Sequence, residues 1–235
     1  MIPKVIHYCW FGGKPLPKLV KKCIKSWKKY CPDYEIKEWN ESNFDLDVCA
    51  YVKQAYEAKK WAFVSDYVRH YVLFNEGGLY LDTDVEILKP IDDLLKNDFM
   101  GFEDDKSVNC GLVFGASKNS KYCELMLNSY NNDNFILDNG KLNLFTVCQR
   151  TTSLLKEYGL NLDGKTQQVL GLTVYSSEYF NPLGVDGKGK ITENSYSIHH
   201  YMASWYSKKE KFLKFLGPKF VKKLVKIKRT ILRQK

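Results

Sequence analysis

Nine residues, Gly77-Gly78-Leu79-Tyr80-Leu81-Asp82-Thr83-Asp84-Val85, constrain this chain more than any other stretch. An apolar run opens behind two glycines and closes on two carboxylates set two positions apart. Side chains alternate faces along a strand, so a strand continued through the run points Asp82 and Asp84 the same way. Two like charges on one face repel each other unless a cation lies between them. Hard divalent ions such as Mg²⁺ and Mn²⁺ take such oxygen ligands and often complete their shell with phosphate oxygens. The pattern predicts a metal site for a phosphate-bearing substrate at the end of a buried strand. A solvated strand end can carry the same two residues, so the surroundings have to decide.

Residues 54–76 contain neither Pro nor Gly and read as one helix. Trp61, Val64, Val68, Tyr71 and Val72 recur at helical spacing and give it a core face. Gly77-Gly78 ends it, since a residue free to take positive φ commonly follows a helix. Asp66 and Arg69 lie three apart, hence side by side on the helix. They form either a surface ion pair or a polar pair aimed at the metal end of the strand.

The flanking segments extend the pattern. Ile2 to Phe11 begins as a short apolar strand, including His7 and Trp10, and Gly12-Gly13 turns it. Leu19, Val20, Cys23, Ile24 and Trp27 mark an amphipathic helix, Pro32-Asp33 breaks it, and Tyr34–Trp39 alternates as a second strand. The order strand, helix, strand, helix, strand is that of a nucleotide-binding α/β unit. Val85 to Lys89 reads as strand up to Pro90, and Leu94-Leu95 as part of a short helix. Asn109 leads an apolar strand to Ala116, Asn131–Asn134 is a loop, and 168–175 is a further strand.

Charge is unevenly placed. The chain carries a net +9, but residues 207–235 hold twelve Lys or Arg against one Glu, which leaves residues 1–206 at −2. Phe220, Leu224, Ile227 and Ile231 share one helical face of this tail. A basic amphipathic helix of this kind lies on anionic membrane surfaces. No recognition motif for nucleic acid accompanies it, so nucleic acid is not expected as a partner. The seven scattered cysteines lack Cys-x-x-Cys spacing, and no apolar run is long enough for a signal peptide or membrane span. We expect reduced thiols and a cytoplasmic protein, peripheral on the inner face of the membrane.

Ser65-Asp66, Arg69 and Gly77 through Asp84 together resemble the core signature of the sugar-binding DXD glycosyltransferases, glycosyltransferase family 32, which includes bacterial capsule and lipopolysaccharide enzymes. The resemblance covers residues 1 to about 100 and returns near 109–116 and 175–205. It implies a GT-A-like α/β domain with a central mixed sheet over residues 1–206, followed by the basic amphipathic helix of 207–235. It also implies Mn²⁺ or Mg²⁺, a nucleotide sugar as donor (a UDP-hexose by preference), a surface-polysaccharide or lipid-linked glycan as acceptor, and retention of anomeric configuration.

Residue roles follow from the resemblance in the same way. Asp84 binds the metal directly, and Asp82 binds it through water or holds the ribose. Asp66 takes hydrogen bonds from sugar hydroxyls, and Arg69 meets sugar or phosphate. Asn109 approaches the donor sugar or the acceptor. Trp10 stacks on the nucleobase, with His7, Ser65 and Tyr80 also in the nucleotide-sugar site. In Ser197-Ile198-His199-His200-Tyr201-Met202-Ala203-Ser204-Trp205, His200 completes the metal shell in preference to His199, and Ser204 and Trp205 reach the diphosphate. Two rival classes share the DXD pattern: a haloacid-dehalogenase-type phosphatase, whose nucleophile strand ends similarly, and a non-catalytic module that binds glycan or membrane.

Overall fold

Strand β1 (Val5–Cys9), helix α1 (Lys18–Tyr30) and strand β2 (Glu35–Trp39) follow the order expected from their apolar spacing. They begin a computed structural model that describes residues 1–202. Helices α2 (Ala50–Glu57) and α3 (Trp61–Glu76) lead to β3 (Gly78–Tyr80), which pairs with β1. Strands β4 (Val85–Ile87), β5 (Phe99–Asp104), β6 (Ser107–Asn109) and β7 (Phe114–Ala116) come next, with a 3₁₀ turn at Asp92–Leu94 between β4 and β5. Helices α4 (Lys121–Asn131) and α5 (Val147–Glu157), the hairpin of β8 (Gln167–Val169) and β9 (Leu172–Tyr175), the short helix α6 (Ser177–Phe180) and β10 (Ser197–His199) complete the described residues.

The main sheet has the order β2-β1-β3-β7-β5-β9-β8, with β6 beside β5. Strands β1, β2 and β3 are parallel, and β7 runs antiparallel to both β3 and β5. Strand β5 is parallel to β9. Five strands therefore end on one edge of a mixed sheet, and this edge receives Trp10, Asp82 and Glu103. Ligands in open α/β sheets bind beyond such carboxyl ends. Successive strand side chains enter opposite core clusters. Tyr80, Met100 and Phe114 pack with Val64, Val68 and Met126, whereas Ile6, Leu79 and Phe99 pack with Trp27, Ile87 and Phe180.

The structure corrects the sequence reading at four places, the first being that the single strand expected over 168–175 is the β8–β9 hairpin, turned at Leu170-Gly171 with φ 53° and 79°. The helix expected over 54–76 is two helices. Ala58–Lys60 separates them, with Lys59 left-handed at φ 56°. Lys60 N–H donates to Ala55 O (2.9 Å) and Lys59 N–H to Tyr56 O (2.8 Å), the two bonds of a Schellman ending. The strand expected over 109–116 breaks between β6 and β7, because the Asn109 side chain accepts the Gly111 N–H at 2.7 Å and bends the chain there. The strand expected through Asp84 stops at Tyr80 and resumes at Val85.

Strand β4 lies outside the main sheet, in a two-stranded antiparallel ribbon with β10. Helix α1 fixes it: Trp27 donates from Nε1 to Val85 O (2.7 Å), and Ser26 Oγ accepts from Ile87 N–H (2.9 Å). All seven cysteines are free thiols. Among the described residues no helix is long and apolar enough to cross a membrane. Ser204, Trp205 and the helix expected in 207–235 lie outside the described residues.

Candidate active site

Two hydrogen bonds carry the sheet one step past β3 before the chain turns. Leu81 N–H donates to His7 O (3.1 Å) and Asp82 N–H to Gly111 O (2.9 Å); Val85 N–H then donates back to Asp82 O at 3.0 Å. The aspartates thus occupy the first and third positions of a tight turn. Strand alternation is not what aims them, and their approach comes from the turn. Gly111 presses on Asp82 from the side: a Cβ at residue 111 would sit 2.1 Å from Asp82 Oδ2. Only a residue without a side chain fits there.

Behind Asp82 lies a buried ion-pair group. Arg69, 3% exposed, donates from Nη2 to Asp66 Oδ1 at 2.9 Å and lies 3.3 Å from Asp82 Oδ1. Its Nε donates to Ser65 O (3.2 Å), its Nη1 lies 3.8 Å from Cys110 Sγ, and its plane is 4.7 Å from the Tyr80 ring centroid. The three-residue spacing of Asp66 and Arg69 on α3 makes this pair, and the α3–β3 connection brings it to the strand end. The pair faces the site rather than solvent. Through Nη2, Arg69 holds both carboxylates in place. Removing one partner of such a buried pair costs about 3–5 kcal/mol.

On the opposite side β10 delivers a histidine, and it is the other of the two. His199 Nε2 lies 3.2 Å from Asp84 Oδ1. His200 turns away, with Nε2 2.8 Å from Glu86 Oε2 beside Lys22. Alternation allows only one of the pair to face Asp84, and the register His199↔Val85 selects His199. In this structure His199, and not the expected His200, is the histidine beside Asp84.

The remaining expected residues divide. Ser65 donates to Trp61 O (3.1 Å) one turn before Arg69, and the Tyr80 hydroxyl donates to Asp82 Oδ1 at 3.3 Å from a fully buried ring. Trp10 is half-buried just past β1, its Nε1 donating to Lys14 O at 2.5 Å. His7 is wholly buried, with Nε2 2.9 Å from Gly77 O and Nδ1 accepting from Trp39 Nε1 at 3.0 Å. It braces the glycine turn and cannot meet a nucleotide. Asn109 gives its amide N–H to Glu103 Oε1 (3.1 Å) and its carbonyl to Gly111, so it shapes the turn against Asp82.

Residues 17–100, which span α1 through the DXD turn, match the protein family described as "Glycosyltransferase sugar-binding region containing DXD motif". The chain carries this glycosyltransferase region. It is similar to an initiation-specific α-1,6-mannosyltransferase of Candida albicans, at 32% identity over 123 residues, 48% of this chain and 31% of that protein. It is also similar to inositol phosphoceramide mannosyltransferase 3 of Schizosaccharomyces pombe, at 30% identity over 105 residues, 40% of this chain and 27% of that protein. The matches thus span less than a third of either relative. Among solved structures, PaToxG glycosyltransferase superposes with a TM-score of 0.51 at 21% identity, covering 66% of this chain and 69% of that one. The fold is the GT-A-like mixed α/β arrangement that the sequence led us to expect.

Electrostatics in this glycosyltransferase region follow from its crowding. Burial raises the Asp82 carboxyl above its usual range; Arg69 opposes the rise and the charge of Asp84 adds to it. Burial likewise raises Asp66, against the pull of Arg69. For His199 burial works toward a lower pKa, but the hydrogen bond to Asp84 and the charges of Asp84, Asp82 and Glu103 outweigh it and leave the imidazole above its ordinary value. Among the described residues no three His, Cys, Asp or Glu side chains are placed to hold a metal ion together. The repulsion between Asp82 and Asp84 is what a divalent cation would relieve. The Asp84 carboxylate and the His199 imidazole, 3.2 Å apart, are donor types that suit Mg²⁺ or Mn²⁺ when phosphate oxygens of a substrate supply the rest of the shell.

Proposed function

We propose that this protein is a metal-dependent glycosyltransferase that moves a hexose from a nucleotide sugar to a hydroxyl of a glycan or lipid-linked acceptor. The observation that carries this reading is the Asp82–Asp84 turn on the carboxyl edge of the sheet, braced by Arg69 and Asp66 and faced by His199. Asp84 and His199 are the groups that would hold the cation, with Asp82 beside them. A bound divalent cation supplies the charge that stabilises the departing diphosphate. Asp66, at the amino end of α5, is positioned to accept from sugar hydroxyls while Arg69 fixes its orientation. Trp10, at the end of β1, provides an aromatic face for the nucleobase.

Retention of configuration belongs to the same proposal, with attack on the face the diphosphate leaves and the acceptor proton passing to that diphosphate. Detection of a glycosyl-enzyme adduct by intact mass spectrometry would replace it with a covalent route. The names of two relatives support a mannosyl donor, and the chemistry of the site also accommodates the UDP-hexose expected from the sequence. The basic residues 207–235 are proposed to hold the protein on anionic membrane. Deletion after Tyr206 should then abolish binding to phosphatidylserine vesicles; unchanged binding would reject this.

The function is tested by incubating the full chain with UDP-, GDP- and dTDP-sugars in the presence of Mn²⁺, alongside Asp84→Ala. Slow metal-dependent release of one nucleotide, lost in the variant, supports the transferase and names the donor. Phosphate release from a generic phosphoester, abolished in Asp82→Asn, would favour the phosphatase instead. Absence of both turnover and metal-dependent nucleotide binding would leave a binding module.

A further inference from the structure

On the edge that presents Asp82 and Asp84, β5 ends at a second polar group with no part in the roles given so far. Strand β5 runs in the same direction as β3, since each is antiparallel to β7, so Glu103 and Asp82 reach the same edge. The Glu103 carboxylate is half-buried. Asn109 Nδ2 donates to its Oε1 at 3.1 Å, and the Tyr201 hydroxyl donates to the same atom at 3.2 Å. Asn181 lies beneath, donating from Nδ2 to Glu103 O (2.9 Å) and to the Tyr201 hydroxyl (2.6 Å). The Tyr201 ring packs on the His199 imidazole with centroids 4.1 Å apart, which joins the group to Asp84.

Four chain segments converge here, and two polar atoms of the cluster are left over. Asn181 Oδ1 and His199 Nδ1 are buried, and the described residues give neither a hydrogen-bond partner. Asn181 as a whole is 2% exposed, and the His199 side chain 9%. An unsatisfied buried polar atom costs about 1–3 kcal/mol, and its presence in a folded protein calls for a reason. Tyr201 adds a left-handed backbone at φ 47°, which bulky residues rarely take. A purely structural cluster would be expected to satisfy its own members.

A carboxylate held in one orientation, an amide and an aromatic ring are the groups that recognise a sugar. The carboxylate accepts from vicinal hydroxyls, the amide pairs with a further hydroxyl, and the ring covers an apolar C–H face. We propose that Glu103, Asn181 and Tyr201 form a subsite for a hydroxyl-bearing sugar ring of the acceptor, beside the His199–Asp84 pair. This rests on the transferase reading and deepens it, because a ring bound there adjoins the aspartate turn where the donor diphosphate is expected. Glu103, Tyr201 and the free Asn181 Oδ1 contact the sugar, while the Asn181 Nδ2 holds Glu103 and Tyr201 in place.

The test uses methyl α-mannopyranoside, methyl α-glucopyranoside and methyl β-galactopyranoside as probes, with binding to the full chain followed by saturation-transfer NMR. Donor hydrolysis is measured in parallel. Binding of at least one glycoside is expected, weakened at least tenfold in Glu103→Gln and in Tyr201→Phe. Tyr201→Phe removes a single hydroxyl, so it answers the question should Glu103→Gln fail to fold. Glycoside binding unchanged in both variants overturns the subsite even if donor hydrolysis is robust, and so does failure of the wild-type chain to bind any of the three. Glycoside binding that depends on Glu103, in a chain with no donor hydrolysis or metal-dependent nucleotide binding, upholds the sugar subsite and overturns the transferase.

Discussion

At the scale of single residues, positions that look inert control the charged ones. Gly111 allows Asp82 its place, because any Cβ there would meet Oδ2 at 2.1 Å and Arg69 Nη1 at 2.9 Å. Gly111→Ala is expected to fold and to lose about 100-fold in metal-dependent donor turnover, the scale of a displacement of about 1 Å in a reacting group. Steady-state kinetics beside a thermal melt would check both halves. The two histidines give a sharper contrast. His199→Ala should lower turnover and Mn²⁺ affinity at least about tenfold, whereas His200→Ala should leave both within about threefold. Equal effects would remove His199 from the site.

At the scale of elements, α3 bears much of the buried polar chemistry and its energetics are testable. His70 packs under Arg69, with Nδ1 2.7 Å from Asp66 O and the Tyr122 hydroxyl 3.5 Å from Nε2. Burial, aided by the charge of Arg69, lowers its pKa to about 3. Between that value and the ordinary value near 6.5, the unfolded chain binds a proton that the folded chain refuses. Stability contributed by neutral His70 is therefore lost as pH falls from about 6.5 toward 3, by up to about 1.4 kcal/mol per pH unit. Urea unfolding of the wild type and His70→Gln at several pH values should show the steeper acid loss in the wild type; the comparison cancels the opposite slope from Asp66, which both share. Between α2 and α3, Lys59→Gly should relieve the left-handed strain and stabilise the chain by up to about 1 kcal/mol.

Those elements also mark what was legible in the sequence. Helix α1 and strands β1 and β2 could be read because each has one apolar period and a clear breaker. The α2–α3 break was hidden because Lys59 carries no glycine or proline signal; the Schellman ending there is made by backbone geometry. Helix α5 did announce itself, through a capping box in which Thr146 and Gln149 exchange hydrogen bonds, and that signal was passed over. The neighbourhood of Asp66, Arg69 and Asp82 was legible because the spacing along α3 and into β3 is local. The cluster of Glu103, Asn181 and Tyr201 was not, since β5, the residue after α6 and the residues after β10 meet only in the folded chain. The choice between His199 and His200 turned on a register between strands that no single segment encodes.

At the scale of the molecule, ligand binding should be visible as stability. On the transferase reading proposed above, the site would gain its last ligands only when metal and nucleotide arrive together. Mn²⁺ with the cognate nucleoside diphosphate should therefore raise the melting temperature where either alone does so weakly, and EDTA should reverse the gain. At a ligand concentration 100 times Kd the stabilisation is about 2.7 kcal/mol. Differential scanning fluorimetry over UDP and GDP would read it and report the preferred base. A shift with nucleotide but insensitive to EDTA would count against a metal-held diphosphate.

The ribbon of β4 and β10 joins residues more than a hundred positions apart, and it is the step that brings His199 to Asp84. During synthesis every strand of the eight-stranded sheet has left the ribosome by Tyr175, while His199 and Tyr201 have not. The nascent chain can therefore assemble its sheet and its aspartate turn before it owns the residues that face them, given that folding of an emerging chain proceeds from its amino end. On the proposed reading, a protein built in this order would become competent to bind only when its late segment docks, so a half-made chain would not capture metal and nucleotide.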